Sequence, residues 1–351
     1  MKVGILTIQS VNFGNRLQNY ALQHVLEDYG CQVESLRRDG SIMGPLSSKA
    51  KYFKKCMSLL RHINDRNSLF RAFNNSFINF SNGTVTKEYI SPGLLDSYSC
   101  FVIGSDQVWN PDFVFNSELE YLPMVASEKK IAYAASFGVS SIVSNRDETA
   151  RLLNGICSIS VRESAGSNIV RDLTGRDVAV VLDPTLLLGA ADWEAVSVKP
   201  KGVACDQPYL LKYVLGNDVN NAKIEELAAS RGIAIIDVMD KSLKIGPSEF
   251  VWLISHSDLV CTDSFHASVF ALLHHKPLAI FERVSTDADM SSRFDTLCSN
   301  FGLVGHRSSE SSFGPKSIFG TDWDDVDSRL AMLRESSRNW LACALESVAR
   351  D

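Results

Sequence analysis

The sequence predicts an α/β protein with two doubly wound parallel β-sheets, each in its own domain. The chain has 351 residues, which is more than a single hydrophobic core usually supports. Short apolar strand patterns alternate with amphipathic helix patterns in both halves, as parallel sheets require. Polar clusters directly follow several strands, where doubly wound sheets bind their ligands.

The first thirty residues are interpreted as one βα unit. Residues 3–8 are a buried strand, and a polar turn follows it. Residues 15–29 place apolar side chains at helical spacing, and Gly30 is suited to end the helix. Residues 31–36 are predicted as the next strand.

Residues 45–80 interrupt this alternation and predict a basic helical insert. Between Lys49 and Arg71 there are seven Lys or Arg residues and one acid, Asp65. Aromatic residues are interleaved with these cations. Residues 49–71 could therefore lie on an anionic membrane surface, or they could form a solvated, packed helical pair.

The alternation then resumes and continues into a second domain. In the N-terminal half, the pattern predicts strands at 99–104, 130–134, 157–161 and 178–182, with helices at 146–154 and 163–173. Residues 193–207 contain Lys-Pro-Lys-Gly and are interpreted as a linker between an N-terminal domain, 1–192, and a C-terminal domain, 208–351. In the second half, it predicts strands at 209–215, 233–238, 259–261 and 278–281, with helices at 220–231, 247–256, 265–274 and 322–349. The last helix could pack back onto the N-terminal domain.

Composition excludes several classes of protein. The net charge of −6 and the pI near 5.7 give no electrostatic case for nucleic-acid binding. The eight cysteines are scattered singly, with no metal-ligand spacing, and predict reduced thiols in a cytoplasmic protein. The chain opens on a strand pattern rather than a signal peptide, and no apolar run reaches the roughly 18 residues of a spanning helix. We expect no metal and no cofactor.

The first polar cluster follows the first strand and contains Asn12, Gly14 and Asn15. Gly14 permits a tight turn, and the backbone amides after it open a helix N-terminus that suits an anion or a hydroxyl group. The cluster matches neither GxGxxG nor a Walker motif. Asn12 and Asn15 could equally be helix caps or ligand-binding residues.

The second cluster, residues 104–111, combines a close-approach glycine, hydrogen-bonding side chains and an aromatic face. An Asx-type turn alone is a less complete explanation for so many polar groups beside one tryptophan. We predict that Asp106 is a catalytic residue and that the tryptophan stacks on a sugar ring. The predicted substrate-binding residues here are Gly104, Ser105, Gln107, Trp109 and Asn110.

Two further strands end in candidate residues. Ser136 follows the strand at 130–134. Arg162 lies at the end of the strand at 157–161, where its planar guanidinium suits a phosphate or a carboxylate, although a salt link with Glu163 is the simpler alternative.

The fifth cluster lies between a buried strand and an apolar helix. Thr262 and Ser264, with the free amides of the helix N-terminus, predict an anion cradle. His266 follows in the first helical turn, and a histidine there can donate a proton near neutral pH. Glu282, after the last strand, and Arg293, at the start of a later helix, are weaker candidates for substrate contacts.

Together these clusters resemble the polysaccharide pyruvyl transferase family over nearly the whole chain. The order and spacing of the motifs are what make the resemblance specific. The carrying segments are residues 12–20 (NFGNRLQNY), 104–110 (GSDQVWN), 160–163 (SVRE), 183–184 (DP) and 263–266 (DSFH). Many members of the family have Arg-Leu-His where this chain has Ser264-Phe265-His266, and Arg293 is the candidate to compensate.

The resemblance implies a GT-B-like pair of Rossmann-type domains, with the acceptor on the N-terminal side and the donor on the C-terminal side. It also implies transfer of a pyruvyl group from phosphoenolpyruvate to a sugar or lipid-linked oligosaccharide, with His266 and Arg162 as catalytic residues. A cytoplasmic enzyme at the inner face of the membrane would suit that acceptor. Two other functions remain open. One is a glycosyltransferase with a nucleotide-sugar donor whose ribose would bind Glu282, and the other is a non-catalytic saccharide-binding protein.

Overall fold

The computed structural model describes residues 1–38, 66–113, 117–216, 218–283 and 292–349. Within these residues the strands form two parallel sheets, with the order β3-β2-β1-β4-β5-β6-β7 in the first. Its strands are β1 (Lys2–Leu6), β2 (Gln32–Arg37), β3 (Phe80–Thr84), β4 (Cys100–Ile103), β5 (Lys130–Ala135), β6 (Ser158–Val161) and β7 (Ala179–Val180). In the second sheet the order is β11-β10-β8-β9, and the strands are β8 (Tyr209–Tyr213), β9 (Ala234–Asp237), β10 (Leu259–Thr262) and β11 (Leu278–Ile280).

Helices connect the strands and cover both sheets. Those that precede the second sheet are α1 (Phe13–Asp28), α2 (Arg66–Phe77), α3 (Arg146–Asn154), α4 (Ser164–Thr174), α5 (Pro184–Leu187) and α6 (Ala190–Glu194). The remaining ones are α7 (Asn221–Arg231), α8 (Pro247–Ser255), α9 (Phe265–Leu273), α10 (Ser292–Phe301), α11 (Pro315–Phe319) and α12 (Trp323–Ala349). Two parallel sheets with connecting helices confirm the predicted GT-B-like α/β architecture.

Each sheet has a point at which the strand order reverses. In the first sheet it lies between β1 and β4, and in the second between β8 and β10. The loops that leave neighbouring strands in opposite directions open a crevice at such a point, and ligands bind there. The polar segments after β1, β4 and β10 therefore lie at the two switch points.

An aromatic layer joins the two domains next to these points. Phe13, the first residue of α1, stacks on Phe250 of α8 with ring centroids 4.3 Å apart and an interplanar angle of 3°. Phe13 also meets Tyr213, at the end of β8, edge to face. Stacked and edge-to-face aromatic pairs fix the relative position of the elements that carry them. The start of α1 is thus held against the C-terminal domain.

The last helix packs against the N-terminal domain. The hydroxyl of Ser337 accepts a hydrogen bond of 3.0 Å from the backbone amide of Leu182. Arg334 donates to the carbonyl of Leu186 at 2.8 Å, and the hydroxyl of Tyr29 donates to the carbonyl of Arg338. The chain therefore returns to its first domain after completing the second.

The fold differs from the sequence prediction at two places. Residues 80–84, assigned in part to the basic insert, form β3 at the edge of the first sheet. Trp193, predicted as the first residue of the linker, is fully buried in α6 and meets Phe270 edge to face. Residues 80–84 pair with the open edge at β2, and Trp193 is buried against α9, so contacts with a neighbouring element outweigh the local sequence pattern in both segments.

Most of the predicted basic insert lies outside the described residues. Of its cations between Lys49 and Arg71, the structure describes the last two. Arg66 packs over the ring of Phe13 at 4.4 Å, whereas Arg71 is exposed on α2. In the described part of the chain, no helix is both long and apolar enough to cross a bilayer.

Candidate active site

A cleft of about 410 Å³ lies where the two switch points face each other. Both domains contribute to its walls. The N-terminal domain supplies residues from the segments after β1 and β4, and the C-terminal domain supplies residues after β8, after β10 and from α10. The polar lining residues are Ser10, Asn12, Asn15, Asp106, Gln107, Asp112, Asp263, Ser264, His266, Arg283 and Arg293.

His266 lies in the first turn of α9, at the wall of the cleft. Its side chain is 9% exposed, and its Nε2 is 3.6 Å from Oδ2 of Asp183. That separation is longer than a hydrogen bond, and Nε2 has no hydrogen-bond partner among the described residues. The other edge of the ring lies against Gly14, at the start of α1. His266 is thus held by both domains while one ring nitrogen stays unpaired.

Asp183 is the buried centre of this arrangement. Oδ2 accepts hydrogen bonds of 2.8 Å from the hydroxyl of Ser105 and from Nη1 of Arg162. Oδ1 accepts from the backbone amide and the hydroxyl of Thr185. Burial by itself would raise the pKa of Asp183, but His266 and Arg162 hold it well below the usual range. Asp183 is therefore a fixed negative charge behind the imidazole.

Arg162 is buried among three carboxylates at the end of β6. Besides its hydrogen bond to Asp183, it lies 3.6 Å from Glu163 and 3.8 Å from Asp106. Its guanidinium also covers the ring of Phe265 at 4.4 Å. Burial opposes the positive charge, yet the carboxylates, Asp183 foremost, raise the pKa of Arg162 above its ordinary value. The predicted strand-end arginine is thus a permanent cation.

Arg293 brings a second buried cation to the same place from the first turn of α10. Burial lowers its pKa to about 10, and the charge of nearby Arg162 acts in the same direction. Its Nε has no hydrogen-bond partner among the described residues. A buried cation next to another cation is costly unless an anion binds. The unpaired Nε of Arg293 at the cleft therefore favours an anionic ligand.

Asp106, in the segment after β4, lines the cleft and has an unusual backbone conformation. Its φ angle is +76°, in the left-handed region that non-glycine residues seldom adopt. Oδ2 accepts a hydrogen bond from the side-chain amide of Asn15, and Oδ1 accepts one of 2.8 Å from the backbone amide of Gln107. Strained backbone of this kind concentrates at functional sites. Asp106 is oriented by both neighbours toward the cleft.

Several polar atoms around these residues are buried without a hydrogen-bond partner in the described part of the chain. Native proteins contain few such atoms, and each one calls for an explanation. Here they are clustered, which indicates a place that a polar ligand completes. The atoms without a hydrogen bond are Nε and Nη2 of Arg162, both carboxylate oxygens of Glu163, Nε2 of His266, Nε of Arg293 and Oγ of Ser292. Two of them, Nε and Nη2 of Arg162, still lie within ion-pair distance of Glu163 and Asp106.

The predicted anion cradle after β10 is only partly free. The hydroxyl of Thr262 donates to the carbonyl of Tyr213 and accepts from the amide of Ser264, so it is fully used within the turn. The side chain of Ser264 makes no capping hydrogen bond and lines the cleft. Arg283 is bound to Asp263 at 3.1 Å beside it. The side chain of Ser264, unlike that of Thr262, therefore remains available to a ligand.

The other predicted residues fall into two groups. Asn12, Asn15 and Gln107 line the cleft, although Asn12 also caps α1 through the amide of Asn15. Residues of the second group lie behind the cleft wall and support it. They are Gly104 against Thr7, Ser105 bound to Asp183, Asn110 bound to Gln107, and Ser136, which accepts from the amide of Gly138.

Two predictions of substrate contact differ from the structure. Trp109 is fully buried, stacks on Tyr121 with centroids 5.3 Å apart and donates its indole N–H to the carbonyl of Glu120. It offers no face to a sugar because hydrophobic burial outweighs its place after a strand. Glu282 binds Arg307 at 2.8 Å and does not line the cleft. Its carboxylate is occupied by that ion pair.

Asp183, the carboxylate that joins Arg162 to His266, is not among the site residues predicted from the sequence. Its position directly after a strand pattern was the available signal, the same one that selected Asp106. Residues 183–184 entered only as one of the segments that carry the family resemblance. Across the described ranges, no group of three or more His, Cys, Asp or Glu residues is placed to hold a metal ion.

Comparisons with known proteins identify one family. The family model for polysaccharide pyruvyl transferase matches residues 12–283. None of the curated proteins compared with the chain matches it. Among solved structures, UDP-GlcNAc 2-epimerase from Neisseria meningitidis bound to UDP-GlcNAc is 10% identical over 100% of both chains, with a TM-score of 0.46. Anabaena HepE in complex with UDP and glucose is 13% identical over 99% of this chain and 100% of its own, with a TM-score of 0.48.

Proposed function

Since this chain belongs to the polysaccharide pyruvyl transferase family, we propose that it transfers a pyruvyl group from phosphoenolpyruvate to two hydroxyl groups of a sugar, forming a pyruvate ketal. The observation that carries the proposal is that His266 and Arg293 line one cleft, with the buried guanidinium of Arg162 next to them behind the cleft wall. This arrangement supplies a proton donor beside two cations, which is what protonation of an anionic enol ester requires.

The donor needs positive charge for both its phosphate and its carboxylate. Arg162 is fixed by Asp183 at 2.8 Å, and Arg293 lies beside it with an unpaired Nε. The amides at the N-terminus of α9, next to Ser264, are a further anion-binding element. This set of groups supports a donor with two anionic ends, and Arg293 takes the place of the arginine that many family members have at position 264.

The first chemical step is protonation of the donor's methylene carbon by the imidazolium of His266. A cationic centre develops at the adjacent carbon, where the enol oxygen and the carboxylate are attached. Asp183, 3.6 Å behind Nε2, stabilises the protonated imidazole before transfer and keeps the ring oriented. Because Gly14 touches the opposite edge of the ring, the imidazole is held between Asp183 and the start of α1.

The sugar hydroxyls complete the reaction. One hydroxyl attacks the cationic carbon, and its proton returns to His266, either directly or through Asp106. The C–O bond to phosphate then breaks, the second hydroxyl adds to the same carbon, and its proton leaves with the phosphate. The products are one ketal and one phosphate ion. Asp106, held by Asn15 and Gln107, is positioned to orient the attacking hydroxyl.

We propose a saccharide of a cell-surface or secreted polysaccharide as the acceptor, including its lipid-linked precursors. A lipid-linked precursor would require the enzyme to work at the cytoplasmic face of the membrane. The basic segment 49–71 is the part of the chain suited to that surface. Binding to vesicles with and without anionic lipid would test this part of the proposal separately from catalysis.

The test of the reaction is phosphate release from phosphoenolpyruvate in the presence of a panel of sugars. We expect release by the wild type and a loss of at least ~100-fold for His266→Ala, since a general acid contributes about that much. His256→Ala is the matched control because His256 is an exposed histidine directly after α8, outside the cleft. Unchanged turnover of His266→Ala would refute its role.

Ligand binding separates the two alternative functions from this one. Tight binding of UDP or GDP without binding of phosphoenolpyruvate would support a nucleotide-sugar glycosyltransferase. The carboxylate expected to bind the ribose of that donor, Glu282, is instead paired with Arg307. Binding of sugars without turnover of any donor would support a non-catalytic saccharide-binding protein.

A further inference from the structure

A second cavity, of about 450 Å³, lies beside the cleft in the N-terminal domain. It is bounded by the segment after β1, the ends of β2 and β3, and helix α2. Ser10 lines both this cavity and the cleft, so the two spaces meet at that residue. The mechanism proposed above uses none of the side chains that are particular to the second cavity.

In the described part of the chain, the charged residues that line the second cavity are all arginines. Arg16 is buried at its floor, Arg37 is partly buried on its wall, and Arg71 is exposed at its rim. Among the described residues, no carboxylate lines this cavity or forms an ion pair with any of the three, and Asp106, on the cleft side, is the acid whose charge acts on Arg16. Positive charge that converges on a concave surface without acidic partners attracts anions.

Arg16 is the most informative of the three. It is only 1% exposed, and one end of its guanidinium donates to the carbonyl of Ile8. Its Nε, however, has no hydrogen-bond partner among the described residues. Burial lowers the pKa of Arg16 to about 10, a cost that a bound anion would offset. A buried, incompletely paired cation on a cavity wall is a feature of a binding site rather than of a solvated surface.

Neutral polar groups lie next to the cations. Asn67, Asn74 and Asn75 of α2 line the cavity, and the side-chain oxygen of Asn74 is buried without a partner in the described part of the chain. Amide groups pair well with sugar hydroxyls. The combination of arginines and amides therefore fits a saccharide that carries a negative charge better than it fits a simple anion.

We propose that the second cavity is an anion subsite for the acceptor, which would hold a phosphate, diphosphate or carboxylate group of the saccharide while the reacting hydroxyls lie in the cleft. The claim that the bound saccharide is the acceptor rests on the proposed function. The presence of an anion site does not depend on it. The shared lining residue Ser10 makes it possible for one molecule to occupy both spaces.

The test uses the full-length protein and two probes, inorganic pyrophosphate and phosphoenolpyruvate, with binding measured by calorimetry. We expect Arg37→Gln and Arg71→Gln each to weaken pyrophosphate binding about tenfold, because each removes one charge-assisted contact. Binding of phosphoenolpyruvate should change less than twofold. Arg171→Gln is the matched control, since Arg171 is an exposed arginine of the same domain far from either lining. Thermal melting would show that each variant is folded.

Competition identifies the kind of anion. Glucose 1-phosphate and glucuronic acid should displace pyrophosphate from the wild type, whereas glucose should not. If glucose 1-phosphate competes more strongly, the acceptor carries a phosphate; if glucuronic acid does, it carries a carboxylate. Displacement by free phosphate, but by neither glucose 1-phosphate nor glucuronic acid, would overturn the assignment of the site to the acceptor. Pyrophosphate binding that is absent, or is unaffected by both substitutions, would overturn the site itself.

One result would separate this inference from the proposed function. If no sugar supports phosphate release from phosphoenolpyruvate but pyrophosphate binding still depends on Arg37 and Arg71, the reaction is wrong and the anion site stands. If both substitutions weaken phosphoenolpyruvate as much as pyrophosphate, the cavity is the donor site and the inference is wrong.

Discussion

Gly14, in the first turn of α1, lies so close to the imidazole of His266 that a Cβ atom at position 14 would overlap the ring. The two residues belong to different domains, and each starts a helix that follows a strand. Gly14 has no left-handed φ angle, so the glycine is required by close approach and not by its own backbone conformation. This contact links the relative position of the two domains to the position of the proposed proton donor.

The contact predicts the effect of Gly14→Ala. The added methyl group must displace His266 or separate the domains, and we expect activity to fall by about 10- to 100-fold, as small misplacements of catalytic groups do. Alanine favours the helix by up to about 1 kcal/mol, so the melting temperature should change little. Gly189→Ala, where the nearest atom to a new Cβ is 3.6 Å away, should behave as wild type in both assays. Full activity of Gly14→Ala would contradict the predicted dependence of catalysis on this contact.

Arg293 is predicted to bind the donor. Arg293→Lys keeps the charge but loses the planar fork that matches a phosphate or carboxylate. We expect KM for phosphoenolpyruvate to rise about tenfold, with a further rise for Arg293→Gln. Arg329→Lys, on the exposed face of α12, is the control. A loss of kcat without a change in KM would show that Arg293 acts on the reaction and not on binding of the donor.

Asp183 is predicted to be essential for both structure and activity. Asp183→Asn leaves Arg162 buried without its shortest ion pair, and removal of one partner of a buried pair costs about 3–5 kcal/mol. Because the pKa of Asp183 is lowered in the folded protein, its stabilisation is present above about pH 4 and is lost as the pH falls below that value. Urea unfolding at pH 7 measures the cost. Asp206→Asn, which breaks an exposed pair with Lys199, should have little effect.

His274 is predicted to make the protein sensitive to mild acid. It is mostly buried at the end of α9, and burial lowers its pKa to about 4. In the unfolded chain it titrates near pH 6.5, so between about pH 6.5 and 4 the unfolded chain binds the proton more readily than the folded protein does. The free energy of unfolding therefore decreases as the pH is lowered through this range. We expect the melting temperature of His274→Gln to fall less than that of wild type between pH 7.5 and 5. Parallel pH profiles would show that His274 does not contribute.

Trp109 is predicted to stabilise the fold without contacting the sugar. Trp109→Phe loses the indole hydrogen bond to Glu120 and part of the stack on Tyr121, so the melting temperature should decrease. KM for the acceptor should remain that of wild type. In contrast, Gln107→Ala, which changes a residue that lines the cleft, should raise it. An increase in KM for Trp109→Phe alone would restore the expectation of sugar stacking.

Local sequence patterns predicted most of the fold because the pattern and the burial agree in most elements. Apolar runs of four to six residues became buried strands, and helices such as α3 were predicted with the observed bounds, Arg146–Asn154. Where the pattern is weak, the prediction was incomplete. Residues 80–84 contain Ser, Asn and Gly and gave no strand signal, yet they pair with β2 because that sheet edge was open to them.

The sequence by itself determined the α/β class, the two sheets and the segments after β1, β4 and β10 in which side chains such as Asp106 and His266 lie. These depend on periodicity and on the rule that ligands bind after parallel strands, and both can be recognised along the chain. Only the tertiary structure decided which side chains face the cleft. Arg293 points into it, whereas Trp109 lies in the core and Glu282 pairs with Arg307. The physical reason is that orientation and ion pairing depend on neighbours distant in sequence, as in the contact between Gly14 and His266.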